Sequence, residues 1–86
     1  MDDALPVIVT VNQQGELYLS IAAKPLEPII AENLQIEIAA ALKHNPRRQV
    51  VVKADKKVSY DTVLQTMVLL QHAGIASVGL QTSDIT

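Results

Sequence analysis

Residues 50–82, VVVKADKKVSYDTVLQTMVLLQHAGIASVGLQT, constrain the fold most, because they hold a strand, a helix and a second strand with their start and stop signals. Val50-Val51-Val52 is a continuous apolar run, as expected of an interior strand. Ser59 can cap a helix whose first turn carries Asp61. Tyr60, Val63, Leu64, Met67, Val68 and Gln71 trace the inner stripe predicted for that helix, and Gly74 just after Ala73 is its expected stop. Residues 77–82 alternate again, with Val78 and Leu80 inward against Gly79 and Gln81 outward. A strand–helix–strand unit of this kind closes by a right-handed crossover.

The upstream half supplies matching pieces. Val7, Val9 and Val11 share one face of a predicted strand, with Ile8 and Thr10 on the other. Asn12-Gln13-Gln14-Gly15 is a polar turn in which Gly15 can take positive φ at little cost. Leu17, Leu19 and Ile21 then alternate with Tyr18 and Ser20, which predicts a hairpin. Pro25 and Pro28 take the chain out of the sheet, and Pro28 suits the first turn of a helix. Ile30, Leu34, Ile38, Ala41 and Leu42 fall on one stripe of that helix, widened by Ile29 and Ile36. Lys43 and His44 complement its dipole in the last turn, and Asn45-Pro46 ends it.

The expected class is α+β. The order ββαβαβ predicts a two-layer sandwich, a mixed four-stranded sheet with both helices on one face. Ile8, Thr10, Tyr18, Ser20, Val51, Lys53, Ser77, Gly79 and Gln81 are left for the other, semi-polar face, and the sheet edges stay available for pairing. Residues 1–82 form the expected domain, with 83–86 a flexible tail.

Composition narrows the chemistry. A chain of 86 residues has room for one core. With no cysteine it has neither disulfides nor thiolate metal ligands. A formal net charge of -2, with Tyr18 and Tyr60 as the only aromatics, argues against nucleic acid as a partner. No run of about 20 apolar residues predicts a membrane helix, and nothing resembles a signal peptide. His44 and His72 each sit at a predicted helix end with no second ligand one turn away, so helix-dipole complementation outweighs metal binding. No cofactor is expected, and no catalytic constellation stands out.

The segment Ala54-Asp55-Lys56-Lys57-Val58-Ser59-Tyr60, continued by Leu70-Gln71-His72-Ala73-Gly74-Ile75 and Ser77-Val78-Gly79-Leu80, resembles the ExbD/TolR family. The resemblance extends back through Asn45-Pro46 to Pro6-Val7-Ile8-Val9 and covers nearly the whole chain. It implies the periplasmic domain of a single-pass inner-membrane stator subunit driven by the proton-motive force. The membrane carboxylate that senses protons in the family has no counterpart here. The implied partners are a second copy of the chain, a TolQ/ExbB-like membrane protein reached through a transmembrane helix, TolA and Pal or a TonB-like protein, and peptidoglycan. The Pro6-Val7-Ile8-Val9 start, Asn45-Pro46 and the finish at Thr82 look more like the TolR branch, which is favoured. Lys53-Ala54-Asp55-Lys56 looks more like the ExbD branch.

The contact residues that follow are Lys53, Asp55, Lys56, Lys57 and Tyr60 for a partner or peptidoglycan, and Val78, Gly79, Leu80, Gln81 and Thr82 for a dimer or strand edge. Each has an ordinary structural reading beside it. Asp55 can satisfy the N–H groups of its own turn, and a lysine run in a loop is commonly solvated surface. Tyr60 shares a helical register with Leu64 and Met67, which predicts core packing with its hydroxyl at the rim. Gly79 admits a dimer mate's backbone or relieves crowding beneath Tyr18. Arg47-Arg48 is read as a pair that keeps a loop soluble. Two rival classes remain, a small acylphosphatase-type enzyme and a ligand-sensing regulatory domain. The first lacks a cation at residues 12–15, and the second lacks spare glycine loops.

Overall fold

A computed structural model describes residues 5–75 and 79–83. Its elements run β1 (Val7–Val11), β2 (Leu17–Leu19), α1 (Ala31–His44), β3 (Val50–Asp55), α2 (Tyr60–His72) and β4 (Gly79–Ser83). The mixed helix-and-sheet class expected from the sequence is what the chain adopts. The sheet order is β2-β1-β3-β4. β1 pairs antiparallel with β2 in register Val9↔Leu19, and parallel with β3 in register Val9↔Val52. β3 pairs parallel with β4, setting Val51 opposite Gly79 and Asp55 opposite Ser83.

The period-two pattern of β1 becomes burial directly: Val7, Val9 and Val11 are fully buried, while Ile8 and Thr10 are half-buried on the other face. Leu19, Val52 and Ala54 extend the same apolar layer, and Leu34, Ile38, Val63 and Leu70 close over it from the two helices. Each fully buried leucine contributes about 1.5–3 kcal/mol through the hydrophobic effect.

Several expectations are corrected at the ends and faces of elements. β2 stops at Leu19, because a turn closed by the Ala22 N–H on the Leu19 carbonyl (3.1 Å) removes Ile21 from the strand. α1 begins at Ala31 instead of Pro28. The chain at Ile29 is held extended against β2, its N–H donating to the Leu17 carbonyl at 2.8 Å, so it cannot turn helical there. Ile30 lies exposed, outside the core stripe expected of it, and Ile36 is exposed as well, so it does not widen the buried arc.

The inner face of α2 also differs. Val63, Thr66 and Leu70 are buried and Met67 half-buried, whereas Tyr60 is 74% exposed and Leu64 and Val68 are also exposed. Thr66 takes an inward position because its hydroxyl donates to the Thr62 carbonyl (2.9 Å), which satisfies the polar group within the helix. The core packing expected of Tyr60 is therefore overturned. β4 runs through Ser83, so the sheet includes a residue assigned to the tail; Ser77 and Val78 lie outside the described residues.

Candidate functional site

The predicted partner-contact residues gather where β3 ends and α2 begins. Asp55 is 2% exposed, and its Oδ1 accepts the Lys57 N–H at 2.8 Å. Its carbonyl also accepts the Val58 N–H at 3.0 Å. This is an Asx-type turn, and it gives the carboxylate a structural duty. Of the set, Asp55 is thus the residue that shapes the loop, not one that a partner can reach.

Lys56 and Lys57 are exposed on that loop, and Lys53 is half-buried on the sheet face away from the helices. Ser59 ends the loop by capping α2: its Oγ accepts the Thr62 N–H at 3.1 Å and shares a 2.7 Å hydrogen bond with the Thr62 hydroxyl. Tyr60 follows at once, which places its ring at the exposed rim of the same loop. Lys56, Lys57 and Tyr60 are thus exposed within five residues of the buried Asp55 carboxylate.

The second predicted set lies beside the first. In register, Leu80 faces Val52, Gln81 faces Lys53 and Thr82 faces Ala54, so the β4 set borders the β3 end. β4 is an outermost strand, and one of its edges faces away from β3. The opposite outer strand, β2, has its edge engaged at Leu17 by Ile29. Gly79 is exposed, and a Cβ built on it would stand 3.6 Å from Val51 Cγ2, an ordinary contact. Tyr18 sits in β2 at the far edge of the sheet, so crowding beneath Tyr18 is not what the glycine relieves.

The first hairpin turn is spoken for by its own side chain. Asn12 Oδ1 accepts the Gln14 and Glu16 N–H groups at 3.1 and 2.8 Å, and its amide donates to Glu16 Oε1 and the Tyr18 hydroxyl. His44 and His72 lie in the last turns of α1 and α2. Among the described residues, no group of three or more His, Cys, Asp or Glu gathers as a metal site, and no helix is long and apolar enough to cross a membrane.

Sequence reasoning missed the loop after α1. Arg48 is half-buried and its Nε donates to the Leu5 carbonyl at 2.9 Å, tying the loop to the chain entering β1. Its role goes beyond keeping a loop soluble. A run of two arginines beside a proline signals a surface loop, and only the fold reveals what it touches.

The ExbD/TolR model of biopolymer transport proteins matches residues 2–84. The chain is 33% identical over 84 residues to the Tol-Pal system protein TolR of Escherichia coli strain K12, and equally to those of Escherichia coli O157:H7 and Shigella flexneri. These alignments cover 98% of this chain and 59% of each relative, so the chain spans well under two thirds of their length. The chain belongs to the ExbD/TolR family.

Proposed function

We propose that the chain is the periplasmic coupling domain of a TolR-like stator subunit, a non-enzymatic part that transmits motion driven by the proton-motive force to the cell envelope. The observation that carries this reading is the match to Tol-Pal system proteins along 98% of the chain. In the full assembly, a membrane helix outside the chain would join it to a TolQ-like partner. The domain would dimerise and contact peptidoglycan, TolA and Pal. Two surfaces support such work: the Lys53, Lys56, Lys57 and Tyr60 rim, and the outer edge of β4. An edge strand offers unpaired N–H and C=O groups, so an extended partner segment can add to it without any pocket.

Titration of the isotopically labelled chain with an extended TolA-derived peptide tests this reading. Saturable shifts at residues 79–83 and 53–60 are expected, together with a dimer in sedimentation equilibrium. A chain that stays monomeric and unshifted by the TolA-derived peptide speaks against the reading. Lys53-Ala54-Asp55-Lys56 favours a second reading, in which an ExbD-like domain engages a TonB-like protein to energise outer-membrane transport. Shifts by a TonB-derived peptide, with none by the TolA-derived one, would select it.

A further inference from the structure

α2 carries apolar side chains on two sides. Val63, Thr66 and Leu70 are buried against the core, with Met67 half-buried beside them. Tyr60, Leu64 and Val68, spaced four residues apart, form a second line along the helix and keep 74%, 42% and 48% exposure. A helix that serves one core needs a single apolar stripe with a polar face opposite. Among the described residues nothing covers the second line, although α1 lies beside α2 and its Gln35 Nε2 donates to the Leu69 carbonyl at 3.0 Å.

The polar groups of α2 indicate what fits there. Apart from the Tyr60 phenol, its titratable groups are Asp61 in the first turn and His72 in the last. They stand eleven residues apart, close to three full turns, so both flank the line on the same side. Asp61 Oδ2 accepts the Gln65 amide at 3.0 Å, and a carboxylate has lone pairs for a further donor. Consider a second α2 laid antiparallel on the first, turning about a point midway between Leu64 and Val68. Leu64 of one copy then stands level with Val68 of the other, and Asp61 with Gln71 and His72. Each flank faces the same flank of the other helix, so an acid meets an imidazole at both ends. Lys56 and Lys57 come to the C-terminal end of the other helix, where cations are favoured, and the two helix dipoles oppose. A parallel pair would set Asp61 against Asp61 and the lysines against the lysines.

We propose that the Tyr60, Leu64 and Val68 line is a contact between two copies of this chain, paired antiparallel through α2. The inference names a face for the dimer of the proposed function and rests on that reading for two copies being held together. Three side chains a copy are far fewer than the about 20–30 residues a side of a standard interface, so the pair alone is weak and concentration-dependent. The contact lies on a helix, so the outer edge of β4 stays open to a partner segment.

The chain has no cysteine, so a nitroxide attached to Lys57→Cys reports from one position. The Lys57 side chain is exposed, and its backbone N–H keeps the bond to Asp55 in the variant. The nitroxide-bearing chain carries no isotope and is mixed with isotopically labelled parent, so amide broadening reports only contacts between copies. Broadening centred on residues 71–75 is expected, growing with concentration. Leu64→Glu in both chains should weaken the association at least about tenfold, and broadening that it leaves undiminished overturns the proposal. Asp61→Lys should weaken the pair and the further change His72→Glu should restore it; no restoration removes the charge pairing that selects a second copy. Broadening centred on residues 57–61 would mean a parallel pair and overturns the arrangement. Broadening confined to residues 79–83 places the dimer at the β4 edge, which overturns the inference and leaves the proposed function standing. No broadening at any concentration overturns it as well, and the TolA-derived peptide titration then decides the proposed function separately.

Discussion

Asp55 and Ser59 show how much of a loop two side chains determine. The buried Asp55 carboxylate holds the Lys57 N–H, and the Ser59 hydroxyl holds the Thr62 N–H, so one sets the turn and the other starts α2. Ser59→Ala should cost about 1 kcal/mol in urea unfolding, the usual loss for a helix cap. Asp55→Ala should cost about 1 kcal/mol or more, since the part-buried Lys57 N–H loses its acceptor. The glycines separate in the same experiment. Gly74 has φ +96 and Gly15 φ +80, a region that costs a side chain about 1–2 kcal/mol, so Gly74→Ala should destabilise by that much. Gly79→Ala should stay within about 0.5 kcal/mol, because the added methyl meets Val51 Cγ2 at 3.6 Å and the Val50 carbonyl oxygen at 4.0 Å, both ordinary contacts. At this scale the cap, the turn carboxylate and the helix stop were all legible in the sequence. Each is a local hydrogen bond or a local backbone angle, decided within a few residues. Arg48 was not legible, because its acceptor, Leu5, lies 43 residues away.

Among the elements, the strands were read better than the helix faces. β1 needs only its period-two valines, and its burial follows them. α2 carries apolar residues on two neighbouring lines, 60-64-68 and 63-67-70, and periodicity alone does not say which line meets the sheet. The answer came from Thr66, whose hydroxyl is satisfied inside its own helix and is therefore free to face inward. The start of α1 was hidden for a different reason: the Ile29–Leu17 pairing is a tertiary contact that overrides the local preference of Pro28. Leu70→Ala should lower stability by about 2–5 kcal/mol, as for other buried leucines. Leu64→Ser and Val68→Ser should each cost no more than about 1 kcal/mol, since both side chains are already partly exposed. If the exposed pair proves as costly as Leu70, the assigned inner face of α2 is wrong.

Across the whole molecule, the parallel β1-β3-β4 arrangement sets the lysine- and tyrosine-bearing loop at one pole and the C-terminal ends of both helices at the other. The first pole carries Lys56, Lys57 and Tyr60 next to the buried Asp55, and the second carries the loop with Arg47 and Arg48. β4 gives the sheet an outer strand next to the first pole. The family was legible from the ordered set of motifs, because those motifs are turn and cap residues whose spacing the fold demands. Whether this domain grips the cell envelope, as proposed, is read out by co-sedimentation of the purified chain with peptidoglycan sacculi. The chain is expected to pellet with sacculi, and joint replacement of Lys53, Lys56 and Lys57 by Gln is expected to leave it largely in the supernatant while preserving its unfolding midpoint. A parent chain that remains in the supernatant at every sacculus concentration would contradict it.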